Sequence, residues 1–588
     1  MIHLYIDGKE AVINADFSFE ITKANPFFSK DGNYTLDIDL SLAFEENSRL
    51  YSHINHLHAN KKISNRKAEL YNDFNMIIAG TEVILSVEDN SVKIQIVSDN
   101  SELNYIAKSD RLITDLQLGS FNGNHDTAAS YNYQTSEQVN CAFPCVQVRF
   151  RNVKGVEGFT SVNDPAPWAP GSKWSPVLHQ DYGIAPQPYL VNLVEKILEN
   201  LGYVIDKNFL RDSSNFFSRI IVVNGLSRTN FADMLPEWSI DKFLTEVEKL
   251  FNCMFLVDSL TKKVSIVSTA AWYGADRVIN YISRSDVLDM VSMDFNSEEN
   301  LYVSYDNVAY NLPSDDIYKF WAIDSSILQN TRNVTCPTYG SLCYRDTIDK
   351  RNIYRTAYCY DFCCCRAIMN NLQGDEEFNV YKQLMAFQPH KTSSEGDTKL
   401  EIIPADTIFY TNNYVESHIV YPRIWYINDD FISEDDKAGL SEMIREGVTS
   451  IKHPDKLQIA IYMGVVPTFT ESMPSSDFSP RSNVYRCAQA KTIKRLGGEF
   501  YNWACIWPDN DSLALKGDEG LVNRFYNGNI HVDTANEFVI SFRSTNLFLD
   551  AKEVFVIDNE KFYCKQLKYV GDADGMSEIV EGVFYKIK

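Results

Sequence analysis

Strict alternation across two adjacent segments constrains this chain more than any other feature of its sequence. Val83, Leu85 and Val87 are each separated by one residue, Asp89-Asn90-Ser91 turns the chain, and Val92, Ile94 and Ile96 return with the same period. A period of two sends successive side chains to opposite faces of a strand, so the pattern specifies an antiparallel hairpin with one buried face. Ile77-Ile78-Ala79-Gly80 leads into its first arm. The same period appears at the start of the chain. Leu4 and Ile6 alternate with polar neighbours, Asp7-Gly8 signals a tight turn, and Phe17, Phe19 and Ile21 alternate before Tyr34, Leu36, Ile38 and Leu40. The C-terminal end reads as a further meander through Phe538–Phe542, Val554–Ile557, Phe562–Leu567 and Ile579–Ile587.

Between these ends the period changes. Leu190, Leu193, Val194, Ile197, Leu198 and Leu201 recur at helical spacing, and Gly202 closes the helix. Phe243, Leu244, Val247, Leu250 and Phe251 make a second stripe ending at Asn252, followed by a hairpin of Met254–Val257 and Val264–Val267. Helix, then Gly or Asn, then strand is a weak internal repeat. Residues 122–176 are rich in Asn, Gly, Pro and Ser and read as long excursions from the first domain. Ser433–Val448 reads as a helix with a capping box at Ser433 and Asp436, and Leu457–Met463 as a strand.

The expected fold class is β-rich α+β and multi-domain, with two antiparallel β-barrel-like regions and small α/β modules between them. The expected domains are an N-terminal β-barrel-like domain with long loops over 1–180 and paired helix-plus-strand modules over 181–275. A β-rich Tyr/Cys-containing region follows over 276–400, then an α+β region over 401–588 ending in the meander. A length of 588 residues fits that many units.

Charge and composition narrow the function. The formal charge is −24, and an acidic surface repels phosphate backbones, so no sequence-specific nucleic-acid partner is expected. The nearest basic stretch, Asn60-Lys61-Lys62 to Arg66-Lys67, is short and followed by acids. No run of 18 apolar residues occurs, so no integral membrane contact is expected, and Met1–Gly8 reads as a strand entering a turn, not as a signal peptide. The twelve cysteines, including Cys141, Cys145, Cys336, Cys343, Cys359 and Cys363-Cys364-Cys365, lack zinc-site spacing and read as reduced packing residues. Tyr and Phe number 33 and 34, residues that favour strands and protein interfaces.

Catalytic constellations are missing from the pattern. GxxxxGK[ST], GxGxxG, HExxH and GxSxG do not occur. Asp509-Asn510-Asp511 begins like a calcium loop, but Leu513 falls where a ligand is needed. His53, His56 and His58 lack an intervening carboxylate, and His125-Asp126 sits in the Asn/Gly-rich stretch. Ser259-x-x-Lys262 matches SxxK in form, but it lies in a hairpin turn where both residue types are common. No catalytic, cofactor-binding or metal residue is therefore assigned and no cofactor is expected. Function is expected to reside in surfaces.

Several segments resemble tail structural proteins from phages and prophages of Bacteroides-type bacteria. They are Ile6-Asp7-Gly8 with Phe17-Ser18-Phe19-Glu20 and Asn25-Pro26-Phe27-Phe28-Ser29; Arg66–Tyr71 with the 83–96 hairpin; Trp238–Val267; and Val554–Ile557 with Phe562-Tyr563-Cys564 and Phe584-Tyr585. More remotely the chain is similar to hub proteins of T4-like and Mu-like contractile tails. The resemblance implies a tail-tip or baseplate hub in a virion tail, made in the bacterial host cytoplasm and without enzymatic activity. It implies two β-barrels per chain and a homotrimeric ring that meets the tail tube or distal tail protein and a spike or fibre. An acidic subunit would suit a channel that passes DNA, since like charges repel. Two other functions are weighed. One is a receptor- or carbohydrate-binding adhesin using aromatic platforms such as Trp168 and Trp174; the other is a tail-associated cell-wall hydrolase.

Overall fold

The computed structural model describes residues 1–56, 58, 65–108, 111–122, 137–151, 157–163, 185–225, 229–293, 308–311, 357–361, 366–371, 378–383, 398–412, 417–425, 454–468, 485–492, 511–513, 515, 520–526 and 532–587. The protein is mostly β-sheet with few helices, and multi-domain. The expected helix over Ser433–Val448 lies outside the described residues, as does the 122–136 part of the Asn/Gly-rich stretch apart from its first residue.

One sheet of fourteen strands dominates. The N-terminal segment supplies β1 (Ile2–Ile6), β2 (Lys9–Ala11), β3 (Ser18–Ala24), β4 (Asn33–Thr35), β5 (Ile38–Ser41), β6 (Arg66–Asn72), β7 (Asn75–Val87) and β8 (Ser91–Val97). Three helices, α1 (Asn100–Ala107), α2 (Leu190–Asn200) and α3 (Ile240–Phe251), and strands β9 (Val204–Asn208), β10 (Cys253–Asp258) and β11 (Lys263–Ser268) belong to a separate α/β layer. The chain then returns to the large sheet with β12 (Ile279–Ile282), β13 (Val287–Met293), β14 (Val532–Arg543), β15 (Val554–Ile557), β16 (Glu560–Asp572) and β17 (Gly575–Ile587).

The order of pairing is not that of a meander. The N-terminal strands run β3-β4-β8-β7-β6-β1-β2 with β5 beside β8, and the later ones run β13-β14-β17-β16-β15-β12. The two halves meet where β3 pairs antiparallel with β16 over seven residues, Ile21 opposite Tyr569. One apolar core follows, containing Leu4, Ile21 and Ile94 from the start of the chain and Leu567, Tyr569 and Phe584 from its end. Ile21, Ile94, Leu567 and Phe584 are fully buried, each worth about 1.5–3 kcal/mol relative to exposure.

Connectivity forces the later half to curl. β12 and β13 stand at opposite ends of six strands, which would be about 24 Å apart in a flat sheet. Only five Cα steps separate Ile282 from Val287, a reach of about 19 Å. The path of paired strands nevertheless ends at β2 and β13 without closing among the described residues.

The 83–96 hairpin is present, with Val87 opposite Val92, but a register shift between Ile84 and Ser86 turns Val83 and Leu85 to the other face. Val92, Ile94 and Ile96 are fully buried, whereas Leu85 is 46% exposed. Glu82 opposes Ile96 and Ile84 opposes Ile94, so those two share the inward face and Val83 and Leu85 point outward. Glu82 is stabilised there by a bidentate pair with Arg66 (2.7 and 2.9 Å) and by the Tyr51 hydroxyl, which donates to it at 2.6 Å. Gly80 has no room for a side chain, because a Cβ would sit 2.0 Å from the Val97 carbonyl oxygen.

In the α/β layer β11 is central, parallel to β9 and antiparallel to β10. The repeat read from sequence is visible: α2 ends at Gly202 (φ +91°) before β9, and α3 ends at Asn252 (φ +46°) before β10. Ser239 caps α3, its hydroxyl accepting from the Lys242 amide. Leu193, Val194 and Ile197 from one helix and Phe243, Val247 and Leu250 from the other fill a second core. Strand Leu457–Thr468, paired with Ile220–Val222, adds Ile459 and Ile461 to it.

Asn25 secures the junction of β3 with the C-terminal strands. It is fully buried, its amide donates to the Ala551 and Cys564 carbonyls at 3.1 and 3.0 Å, and its oxygen accepts from the Phe27 amide. Asn25→Ala is expected to destabilise the chain by about 2–4 kcal/mol, since it strands two buried carbonyls and a partly buried amide. Urea unfolding measures this; a loss under about 0.5 kcal/mol would mean that the junction is held elsewhere.

Candidate functional site

Most residues singled out from sequence are dispersed. His53, His56 and His58 are exposed; the first two rings lie 5.4 Å apart and His53 is bonded to Ser48 at 2.7 Å. Among the described residues no group of three or more His, Cys, Asp or Glu could hold a metal ion. Asp511 is buried and held by Arg219 and by Arg524 at 3.1 Å, while Leu513 is fully buried. The Arg66-Lys67 pair is neutralised, the first by Glu82 and the second by Glu69 at 2.5 Å. Cys141 and Cys145 are buried. His125, Asp126, Trp168, Trp174, Asp509, Asn510, Cys336, Cys343 and the 363–365 cysteines lie outside the described residues, and nothing is described of the Cys359 side chain.

Ser259 and Lys262 do converge, on a residue that the sequence did not single out. Glu102, fully buried in α1, accepts from the Ser259 hydroxyl at 2.7 Å, from the Lys262 ammonium at 2.6 Å and from the Tyr203 hydroxyl at 3.4 Å. Thr81 of β7 donates to the same carboxylate. Its neighbours complete the contact. The Asp99 amide donates to Ser259 Oγ at 2.5 Å and the Asp99 carboxylate accepts from the Ser259 amide at 3.2 Å. Asn100 donates to the Phe255 carbonyl at 2.5 Å. Burial pushes the Asp99 carboxyl up from its usual range, with the Lys552 ammonium and the Ser259 amide pulling it back. Asp99 and Glu102 carry the spacing of a helix cap, the one sequence signal here. Asp99 takes φ +53° and makes no side-chain cap to its own helix, so its carboxylate is free to hold the 258–262 turn.

As chemistry, this arrangement saturates a carboxylate with donors. Ser259, at 6% exposure, offers its hydroxyl to that carboxylate and not to a substrate. The constellation fastens the α/β layer to the sheet.

A second cluster fastens the same bodies with aromatic rings. Phe27 stacks on Trp272 at 4.0 Å, and the Arg277 guanidinium lies 3.2 Å from the centre of that ring. Phe28 packs against Tyr585 and Tyr563 at 5.1 and 6.3 Å. Asn25–Ser29, Phe562–Cys564 and Phe584–Tyr585, three of the segments that carry the resemblance, thus meet in one place. Arg277 donates to the Lys552 carbonyl at 3.2 Å and to the Trp272 carbonyl, and burial lowers its pKa to about 10. Trp272 is sandwiched and 8% exposed, so it is no platform for a sugar ring.

No family model matches the sequence, and no curated protein matches it. Among solved structures, the chain is similar to the 43 kDa tail protein of prophage MuSo2 from Shewanella oneidensis. The identity is 7% and the TM-score 0.30, with 100% of this chain and 97% of that one covered. It is also similar to the tail protein from Neisseria meningitidis MC58, at 6% identity and TM-score 0.31, with 99% and 95% covered.

Two measurements test the electrostatics of this region. Lys23 of β3 donates to the Leu547 and Leu549 carbonyls at 2.7 and 3.3 Å and lies over the Tyr569 ring. Burial lowers its ammonium from 10.5 to about 8, with Asp550 and Asp99 opposing. Between those values the unfolded chain holds a proton that the folded chain lacks. The group's stabilising contribution is therefore present above pH 10.5, and it is lost as pH falls through about 8. The stability of the wild type relative to Lys23→Met is expected to rise by about 1 kcal/mol per pH unit from pH 8 to 10. A flat difference in urea unfolding would contradict the assignment. Ser259→Ala is expected to cost about 1–3 kcal/mol by the same method; an unchanged midpoint would show that the turn is not a fastening point.

Proposed function

We propose that this chain is a structural subunit of a phage or phage-like tail tip, a hub that joins the tail tube to a central spike or fibre by closing into a ring of three copies. The observation that carries the reading is the convergence of the resembling segments, far apart in sequence, on one buried junction around Asn25, Phe28, Tyr563 and Tyr585. Residues that make the resemblance are those that hold the sheet together, so the likeness is one of framework.

The surfaces agree with assembly. Strands β2 and β13 end the path of the large sheet, and edge strands offer unpaired backbone groups to a neighbour. Along β13 Leu288, Met290 and Val291 are 45%, 38% and 49% exposed, and Tyr281 of β12 is 75% exposed. Heterologous contacts of that kind close into rings when the rotation permits. The proposed partners are further copies of the chain, the tube or distal tail protein, and a spike or fibre protein, in a virion tail. The proposed role is non-catalytic, since the one Ser–Lys–carboxylate grouping found among the described residues is consumed in fastening two layers together.

The native mass tests the proposal. Light scattering is expected to give a particle three times the 67.3 kDa of the chain. A monomer at every concentration, binding glycans on an array, would overturn the hub in favour of an adhesin.

A further inference from the structure

The described residues hold two large apolar cores with no residue in common. One lies in the fourteen-stranded sheet and the other around α2 and α3. Helix α1 stands on the boundary. Its Leu103 and Ala107 belong to the second core, while its first turn, Asn100 to Glu102, is buried among polar partners.

That boundary is a layer of hydrogen bonds. The Gly32 amide donates to Ser101 Oγ at 3.0 Å, and Asn33 donates to the Asp99 carboxylate at 2.6 Å. From the far side come the Ser259 amide to Asp99, the Val257 amide to Asn100 Oδ1 at 3.3 Å, and the Lys262 ammonium to Glu102. An apolar core gains nothing from water when it opens. A polar layer exchanges each bond for one to solvent, so its net resistance is small and a buried charge regains its hydration. The joint is also strained. Asp99, where β8 passes into α1, takes φ +53° and ψ −127°, a conformation that non-glycine residues avoid. Lys30 also pairs with Glu248 of α3 at 3.2 Å, and the aromatic cluster of Phe27, Phe28, Trp272 and Tyr585 is a further, apolar attachment.

We propose that the sheet and the α/β layer part along this polar boundary as two folded bodies, turning on the aromatic cluster, at a free energy well below that of unfolding either. The device would let the α/β layer change its angle to the sheet within an assembled particle while both cores stay intact. Sub-global openings of this kind expose boundary amides together and leave core amides protected.

Native-state hydrogen exchange on the full chain is the test. Leu103 and Ala107 hold α1 to the second core, so the bonds that open are those reaching α1 from Gly32, Asn33 and Thr81. The Gly32 amide is expected to exchange at least tenfold faster than amides in β8 and α2, while the Val257 and Ser259 amides, bonded to α1 from within the α/β layer, stay protected. Glu102→Gln is expected to accelerate Gly32 a further tenfold or so and leave β8 and α2 unchanged. Thr81→Val, which removes one bond at constant shape, serves if the first variant does not fold and is expected to act in the same direction. Boundary and core amides exchanging at one common rate would overturn the proposal. So would acceleration of all of them equally in either variant, because the molecule would then be a single cooperative unit.

Discussion

The pairing of Ser18–Ala24 with the Gln566–Asp572 part of β16 is the constraint on which the rest of the structure depends. Neither half of the large sheet can bury its inward face alone. Ile21 on one side and Leu567 and Tyr569 on the other belong to one core, and the hydrogen bonds of Asn25 reach 526 and 539 positions along the chain. Closing so long a loop costs chain entropy before any contact rewards it. The stabilisation must therefore come in one cooperative step, from seven residue pairs and the apolar face beneath them. Among the described residues, the chain leaves this sheet after β8, builds the α/β layer and returns to the sheet at β12.

What the sequence made legible was local. Period-two runs located the strands, and helical stripes ending at Gly202 and Asn252 located α2 and α3, because spacing and a left-handed terminal residue are properties of a short window. Val83, Leu85 and Val87 were read as sharing one face, but a register shift between Ile84 and Ser86 leaves only Val87 opposite the buried Val92. Periodicity says which residues share a face; the side that turns inward is settled by partners elsewhere. Here Arg66 and Tyr51 make a buried Glu82 acceptable and leave Leu85 outside. Strand order was illegible for the same reason, since β3 has no sequence mark of its partner near the other end of the chain. Asp99 and Glu102, which the sequence did not single out, are the fastening of two layers. Ser259 and Lys262 were placed correctly in a turn, but the carboxylate that unites them lies about 160 residues away.

The two fastenings differ in chemistry, and that difference organises the molecule. Aromatic rings around Trp272 exclude water and hold whatever the solvent does, with Arg277 covering a face that could otherwise be read as a ligand platform. The Glu102 layer holds by satisfied hydrogen bonds, a grip that water can replace. Ser259, Lys262 and Glu102 are thus spent internally. On the outside, exposed apolar residues gather on the edge strands β12 and β13.

A reconstruction by electron cryomicroscopy of a tail particle containing this chain tests the account most directly. The account predicts a closed ring of copies around the tail axis, between tube and spike, with the fourteen-stranded sheets making the contacts between neighbours. Copies found singly at the tips of peripheral fibres, with the sheet edges bare, would contradict it.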